Sequence, residues 1–175
     1  MFGQNQASTA DRVVGGTIQL MFLFQQTRMI QFVLMVNKQG QTRLSKYFQH
    51  TPVKQRSALE SELIRRCLVR SENLCSFFDH EGYKVIYRRY ASLYFIIGVD
   101  NNTDENEMGY LEFIHTMVET LDRYFENICE LDIMFNLEKT HFILDEMIAN
   151  GYIIDTNKNN ILSPLQMMDK HVGSL

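Results

Sequence analysis

An α/β (α+β) fold, a five-stranded antiparallel sheet with helices on both faces, is what the patterning of this chain predicts. Three observations carry the prediction. The segments "MIQFVLMV" and "LYFIIGV" are apolar on both faces, so both strands must be covered on both sides. Hairpin turn signals flank a helical segment on each side. Beyond the acidic stretch that starts at Asp100 the apolar period becomes helical and stays so. The resulting order is ββ-α-βββ-α-α-α, and 175 residues with 45% hydrophobic content are enough for one core and too few for two.

Residues 1–28 precede this pattern, rich first in Gln, Ser, Thr and Gly, then briefly apolar, with no period of 2 or 3.6. They are expected to be an appendage. The first strand then places Ile30, Phe32, Leu34 and Val36 on one face, with Val33 and Met35 on the other. "NKQGQ" turns the chain into a second strand, with Thr42, Leu44, Lys46 and Phe48 on one face and Arg43, Ser45 and Tyr47 on the other. Thr51 as N-cap and Pro52 at the first helical position open a helix whose Leu59, Leu63 and Cys67 recur four apart. Strands are predicted at 76–79, 84–88 and 93–99, the first two joined through Glu81-Gly82 and the last central in the sheet. Leu111, Ile114, Val118, Leu121, Phe125 and Ile128 make a long amphipathic helix with Asp104 and Glu107 as a capping box. One further helix is predicted from about Asp132 to Asn150, ended by Gly151, and a shorter one with Pro164 in its first turn.

Charge and motifs exclude more than they include. Seventeen basic against 21 acidic residues give −4, so the chain as a whole does not attract nucleic acid or an anionic membrane. The aromatic and basic "YKVIYRRYASLYF" is better explained by strand propensity than by base stacking. Cys67, Cys75 and Cys129 are scattered and odd in number, as in a reducing compartment. "TIQLMFLF" at 17–24 is far shorter than the ~20 residues a bilayer span needs. No nucleophile elbow, phosphate loop or H-E-x-x-H occurs, and the five histidines are dispersed. Asp100, Asn102 and Asp104 mimic the start of a calcium loop, but Glu105 and Leu111 stand where glycine and the bidentate glutamate are required. No enzyme activity, metal or cofactor is expected.

The stretches "MIQFVLMVNKQGQTRLSKYF", "YRRYASLYFIIGVD", "YLEFIHTMVETLDRYFENICELDIMFNLEKTHFILDEM" and "NILSPLQMMDK" carry a resemblance that covers most of the chain from Met29 to about Lys170. They resemble the small, or sigma, subunits of heterotetrameric adaptor protein complexes, which select cargo for transport vesicles, and are most similar to those of the fourth such complex. Other trafficking proteins of the same fold, such as a coatomer zeta chain, are expected to lack the "CELDIMFNLEKTHFILDEM" agreement. The resemblance implies a longin-like fold for residues 29–175 and no catalysis. It also implies assembly with an epsilon-class large chain, beside a beta-class large chain and a medium (mu) chain. The implied location is peripheral, on the cytosolic face of the trans-Golgi network and its vesicles. Residues 1–28 have no counterpart in the family, so either Met29 is expected to be the start or the leader is a lineage-specific extension.

In related sigma subunits an acidic dileucine signal, [D/E]-x-x-x-L-[L/I], lies along the small chain. By that resemblance the arginine facing its acidic position is Arg43 of "TRL". The pocket for the two leucines maps onto Ala91, Leu93, Val118, Asn127, Ile128, Leu131 and Ile133, each a compatible residue. Val118, Ile128 and Leu131 fit an interhelical core equally well, and Arg43 fits a contact with the large chain. Lys38 and Lys46 inherit no role and are expected to be solvated.

Overall fold

A computed structural model describes residues 30–71, 74–101 and 106–172, with side chains to 170. The leader at 1–28, with its apolar run, and Asn102 and Asp104 of the acidic loop lie outside these residues.

The strands are β1 (Ile30–Asn37), β2 (Thr42–Tyr47), β3 (Phe77–His80), β4 (Tyr83–Tyr90) and β5 (Leu93–Asp100), paired antiparallel in the order β2-β1-β5-β4-β3. The two strands that are apolar on both faces, β1 and β5, are therefore neighbours, with β1 second from the β2 edge and β5 at the centre. Helix α1 (Val53–Val69) covers one face, packing Leu63, Ile64 and Cys67 against Phe32, Leu34, Val36, Val85, Tyr87 and Ile96. The other face carries α2 (Glu107–Phe125), α3 (Glu130–Phe135), α4 (Leu137–Met147) and α5 (Lys158–Val172), which share a larger apolar cluster with Val33, Met35, Ile86, Phe95 and Ile97. Helices thus lie on both faces, as the doubly apolar strands require.

One irregularity sets the register. The pairing of β1 with β5 shifts between Ile30 and Phe32, and these two residues, which a regular strand would put on one face, belong to opposite clusters. The Glu81-Gly82 turn has positive φ at both residues, 46° and 83°, the conformation whose twist suits a two-residue hairpin.

Several boundaries differ from the sequence prediction. Pro52, not Thr51, stands at the N-cap of α1, because its ψ of 141° is not helical. Asn106, not Asp104, caps α2, its side chain accepting from the Gly109 N–H. Helix α2 stops at Phe125, before Ile128, because Glu126 and Asn127 take φ of 54° and 82°. The single helix predicted over 132–150 is two, since Asn136 leaves helical geometry (φ −125°, ψ 42°) and its side chain competes for the Asp132 carbonyl. Nor does Gly151 end a helix. It turns a small hairpin of β6 (Ile148–Ala149) and β7 (Tyr152–Ile153), and its carbonyl accepts the Ile30 N–H at 2.8 Å. Pro164 lies inside α5 rather than in its first turn, because the helix begins at Lys158, after the Asp155 and Asn157 side chains have accepted the local N–H groups.

Candidate functional site

The three cations of "MVNKQGQTRLSKYF" meet different fates, beginning from the turn between β1 and β2. Asn37 ends a strand of buried residues and is itself 1% exposed. Its Oδ1 accepts the N–H groups of Gln39 and Gln41, which closes the turn around Gly40. Its Nδ2 then donates to Gln41 Oε1 and to Glu130 Oε1, both at 2.9 Å. Arg43 converges on the same carboxylate: Nε and Nη2 each lie 2.7 Å from Glu130 Oε1, and Nη2 also donates to Gln41 Oε1 at 2.7 Å. The hydrogen bond from Asn37, and then that from Arg43, hold the Glu130 carboxyl below its ordinary pKa of 4.5. This contribution to stability is therefore present above the ordinary carboxylate range and is lost only as pH falls through the lowered value.

Lys46 is not solvated. It pairs with Asp145 of α4, and its side chain is only 14% exposed, because Leu44 and Lys46 of β2 face α3 and α4. Thr42 departs from that face and reaches Glu60 of α1, while Arg43 reaches Glu130; the register of β2 with β1 slips between Met35 and Val36. Lys38 is exposed.

Glu130 opens α3, a helix of 6 residues whose start is fixed by Asp132, whose carboxylate accepts the Cys129 N–H at 2.8 Å; hydrogen bonding with the Cys129 side chain, and then with its N–H, keeps the Asp132 carboxyl low. Ile133, fully buried, anchors this short helix to the core. Just before it, the Ile128 N–H donates to Asp122 Oδ1, so the loop from Glu126 to Cys129 is held from both ends.

The eight residues that the resemblance singled out are gathered unevenly at this end of the molecule. Leu93, Val118 and Ile133 are buried in one apolar cluster, and Ile128 packs against it. Leu93 is the register partner of Asn37, so the start of β5 lies beside the turn that holds Glu130 and Arg43. Leu131 is 55% exposed, and Asn127 and Ala91 are also exposed, Ala91 in the turn between β4 and β5 with φ of 50°. A cleft of about 450 Å³ between α1 and β4, lined by Cys67, Arg70, Tyr87, Arg89 and Tyr94 among others, shares only Ala91 with the eight. Burial beside it pushes the Cys67 thiol up to about 12, so this cysteine is a packing residue rather than a nucleophile.

Sequence reasoning missed Asn37 and Glu130. Asn37 carried a usable signal, an Asx residue between an apolar strand and a glycine turn. Glu130 carried none, since its partner Arg43 is 87 residues away. Among the described residues no group of three or more His, Cys, Asp or Glu is placed to hold a metal ion, and no helix is long and apolar enough to cross a membrane.

Next to Leu131 an apolar surface continues along α3 into α4: Met134 is 43%, Phe135 78% and Leu137 41% exposed. Large apolar side chains exposed this close together in sequence are candidates for an interaction face.

Comparison with known proteins converges on one family. The model of the clathrin adaptor complex small chain matches residues 29–172. AP-4 complex subunit sigma of Arabidopsis thaliana is 60% identical over 141 residues, which are 81% of this chain and 97% of that protein. AP-4 complex subunit sigma-1 of Homo sapiens is 56% identical over 142 residues, again 81% and 97% of the two chains. For AP-1 complex subunit sigma-1A of Homo sapiens the identity falls to 43% over 141 residues, 81% of this chain and 88% of that one. In three dimensions the chain superposes with a TM-score of 0.66 on one chain of a homology model of the full-length AP-3 complex in a stretched open conformation. That match has 30% identity and covers 83% of this chain and 96% of the other.

Proposed function

The chain belongs to the clathrin adaptor complex small chain family, and on that premise we propose that it is the sigma subunit of a fourth-type adaptor complex. It is a non-catalytic small subunit with a longin-like fold, acting in vesicle-mediated protein transport. Its direct partner in this proposal is an epsilon-class large chain, with a beta-class large chain and a medium (mu) chain completing the heterotetramer. The higher identity to relatives of the AP-4 type than to those of the AP-1 type supports that choice. The complex works on the cytosolic face of the trans-Golgi network and on transport vesicles, and the chain reaches the membrane through the complex. Residues 29–175 form the adaptor small-chain domain, and residues 1–28 are a leader outside it.

The chain also contributes to cargo selection by holding an acidic dileucine signal. One observation carries this part: Leu93, Val118 and Ile133 lie in one apolar cluster that Ile128 packs against, and the exposed Leu131 follows Glu130, the residue to which Arg43 is bonded. Burying two leucines there is worth about 3 to 6 kcal/mol before ordering costs. A part-exposed arginine–carboxylate pair is worth ~1 kcal/mol or less. The apolar side chains therefore hold the peptide, and the arginine end modulates the choice. Low affinity suffices where several signals are engaged on one membrane.

The test is titration of a fluorescein-labelled peptide containing Glu-Ala-Ala-Ala-Leu-Leu into the assembled complex. Leu131→Ser is expected to lower affinity about tenfold, and the Ala-Ala version of the peptide should not bind. Co-purification of the partner chains checks that assembly holds. Binding that ignores both changes would sink the dileucine reading, and loss of assembly in Leu131→Ser would assign Leu131 to the subunit interface instead.

A further inference from the structure

The domain begins against a hairpin that is only half covered. The Ile30 N–H donates to the Gly151 carbonyl at 2.8 Å, so the chain enters β1 at the turn between β6 and β7. Directly after that turn come Tyr152, Ile153 and Ile154, which are 40%, 40% and 57% exposed. The Ile154 N–H prolongs the pairing by donating to the Met147 carbonyl at 2.9 Å. Successive side chains of an extended segment point to opposite sides, so the hairpin presents uncovered apolar groups on both. It is seated on the core through the buried Ile148 and Gly151.

The segment that precedes Ile30 in sequence has the complementary need. The leader lies outside the described residues, but its sequence sets Ile18, Leu20, Met21, Phe22, Leu23 and Phe24 in one run, with no charged residue from Val13 to Thr27. Such a run favours any surface that removes it from water, and it is too short to span a bilayer. Residues 25–29 join it to Ile30 and extend about 20 Å at most. From Gly151 to Ile154 is about 10 Å of extended chain. All three exposed side chains are therefore within reach, and so short a tether holds the run near them at a high effective concentration. The likeness to relatives begins where the leader ends: the family model starts at residue 29, and the length shared with the Arabidopsis thaliana relative is 97% of that protein. The leader is additional to what the two chains share.

We infer that the apolar run at 17–24 docks on the β6–β7 hairpin of its own chain and covers Tyr152, Ile153 and Ile154. The interaction surface is the hairpin. Its partner is an uncharged segment rich in Leu and Phe, carried in cis.

The test is photo-crosslinking within the assembled complex, with Tyr152→p-benzoylphenylalanine and, separately, Ile154→p-benzoylphenylalanine, the products being mapped by mass spectrometry. Val69→p-benzoylphenylalanine, at an exposed position of α1 on the opposite face of the sheet, is the control. Both hairpin positions are expected to give an intramolecular product with residues 17–24, at least fivefold above the control. The double variant Leu20→Asp with Phe22→Asp should lower that product at least fivefold without loss of the partner chains. Products with a large chain, a second copy of the chain or lipid in place of the leader would overturn the inference, since each would be the occupant instead. A leader product of equal yield from all three positions, or none from either hairpin position, overturns it as well. So does an intact mass of the native chain that begins at Met29.

Discussion

Phe135→Glu is expected to leave the chain folded and to abolish its recovery with a large adaptor chain. Phe135 is 78% exposed at the end of α3, so it contributes little to the fold of the free chain, and its neighbours Met134 and Leu137 extend the same apolar surface. Covering a phenylalanine by a partner is worth about 1.5 to 3 kcal/mol. A carboxylate buried in its place, without a partner, costs several kcal/mol more. At about 1.4 kcal/mol per factor of ten, the sum is a loss on the order of a hundredfold or more. Quantitative co-purification of the variant from cells, with a thermal melt of the purified chain as the folding control, measures it. Undiminished recovery of the large chain would remove the α3 face from the interface. Met167 and Met168 of α5, 62% and 51% exposed, would then be the next surface to substitute.

Gly98→Ala is expected to have the largest effect on folding. A Cβ built at Gly98 would lie 2.1 Å from Cζ and 2.2 Å from Cε1 of Phe32, distances that no side chain tolerates. The Phe32 ring cannot retreat easily. It is 1% exposed and lies between Tyr47 and Tyr83, at centroid distances of 5.7 and 5.5 Å. Overpacking of this kind costs about 3 kcal/mol, which for a chain of this size lowers the melting temperature by roughly 6 to 12 °C. Shortening the ring partner should relieve the clash: the double variant Gly98→Ala with Phe32→Leu is expected to be less destabilised than the sum of its parts, the signature of a direct contact. A fall of less than 2 °C in the single variant would mean that Phe32 has another place to go.

These two positions show how far the sequence could be followed. The strands at β1 and β5 were legible because a run apolar on both faces admits few other placements, and the Glu81-Gly82 hairpin because the turn needs the backbone that glycine supplies. The core side of α2 was equally clear from its spacing. What escaped is non-local. The glycine at 98 looks like a gap in an apolar strand until Phe32, from a different strand, is placed over it. Asn136 breaks a helix whose apolar period runs through it, because a side-chain amide can take a carbonyl from the backbone ladder. Lys46 belongs by type to the solvent and by contact to Asp145, 99 residues away.

The candidate site divides in the same manner. Its pocket candidates come from the likeness of short motifs to a known family; Leu93, Val118 and Ile133 lie in the core cluster with Ile128 packed against it, while Ala91, Asn127 and Leu131 are exposed. Its polar half depends on a network of Asn37, Gln41, Arg43 and Glu130, in which each bond is visible only once β1, β2 and α3 meet. The basic hairpin is thus far less basic at its working end than its composition implies. Arg43 brings its charge to a carboxylate of the same chain.

The account stands on the chain being one subunit of an assembled adaptor, and the direct measurement is native affinity purification of the tagged protein with identification of its stoichiometric partners by mass spectrometry. The expected result is an epsilon-class large chain recovered one to one, together with a beta-class large chain and a medium chain. Recovery of the chain without any stoichiometric large chain would contradict it.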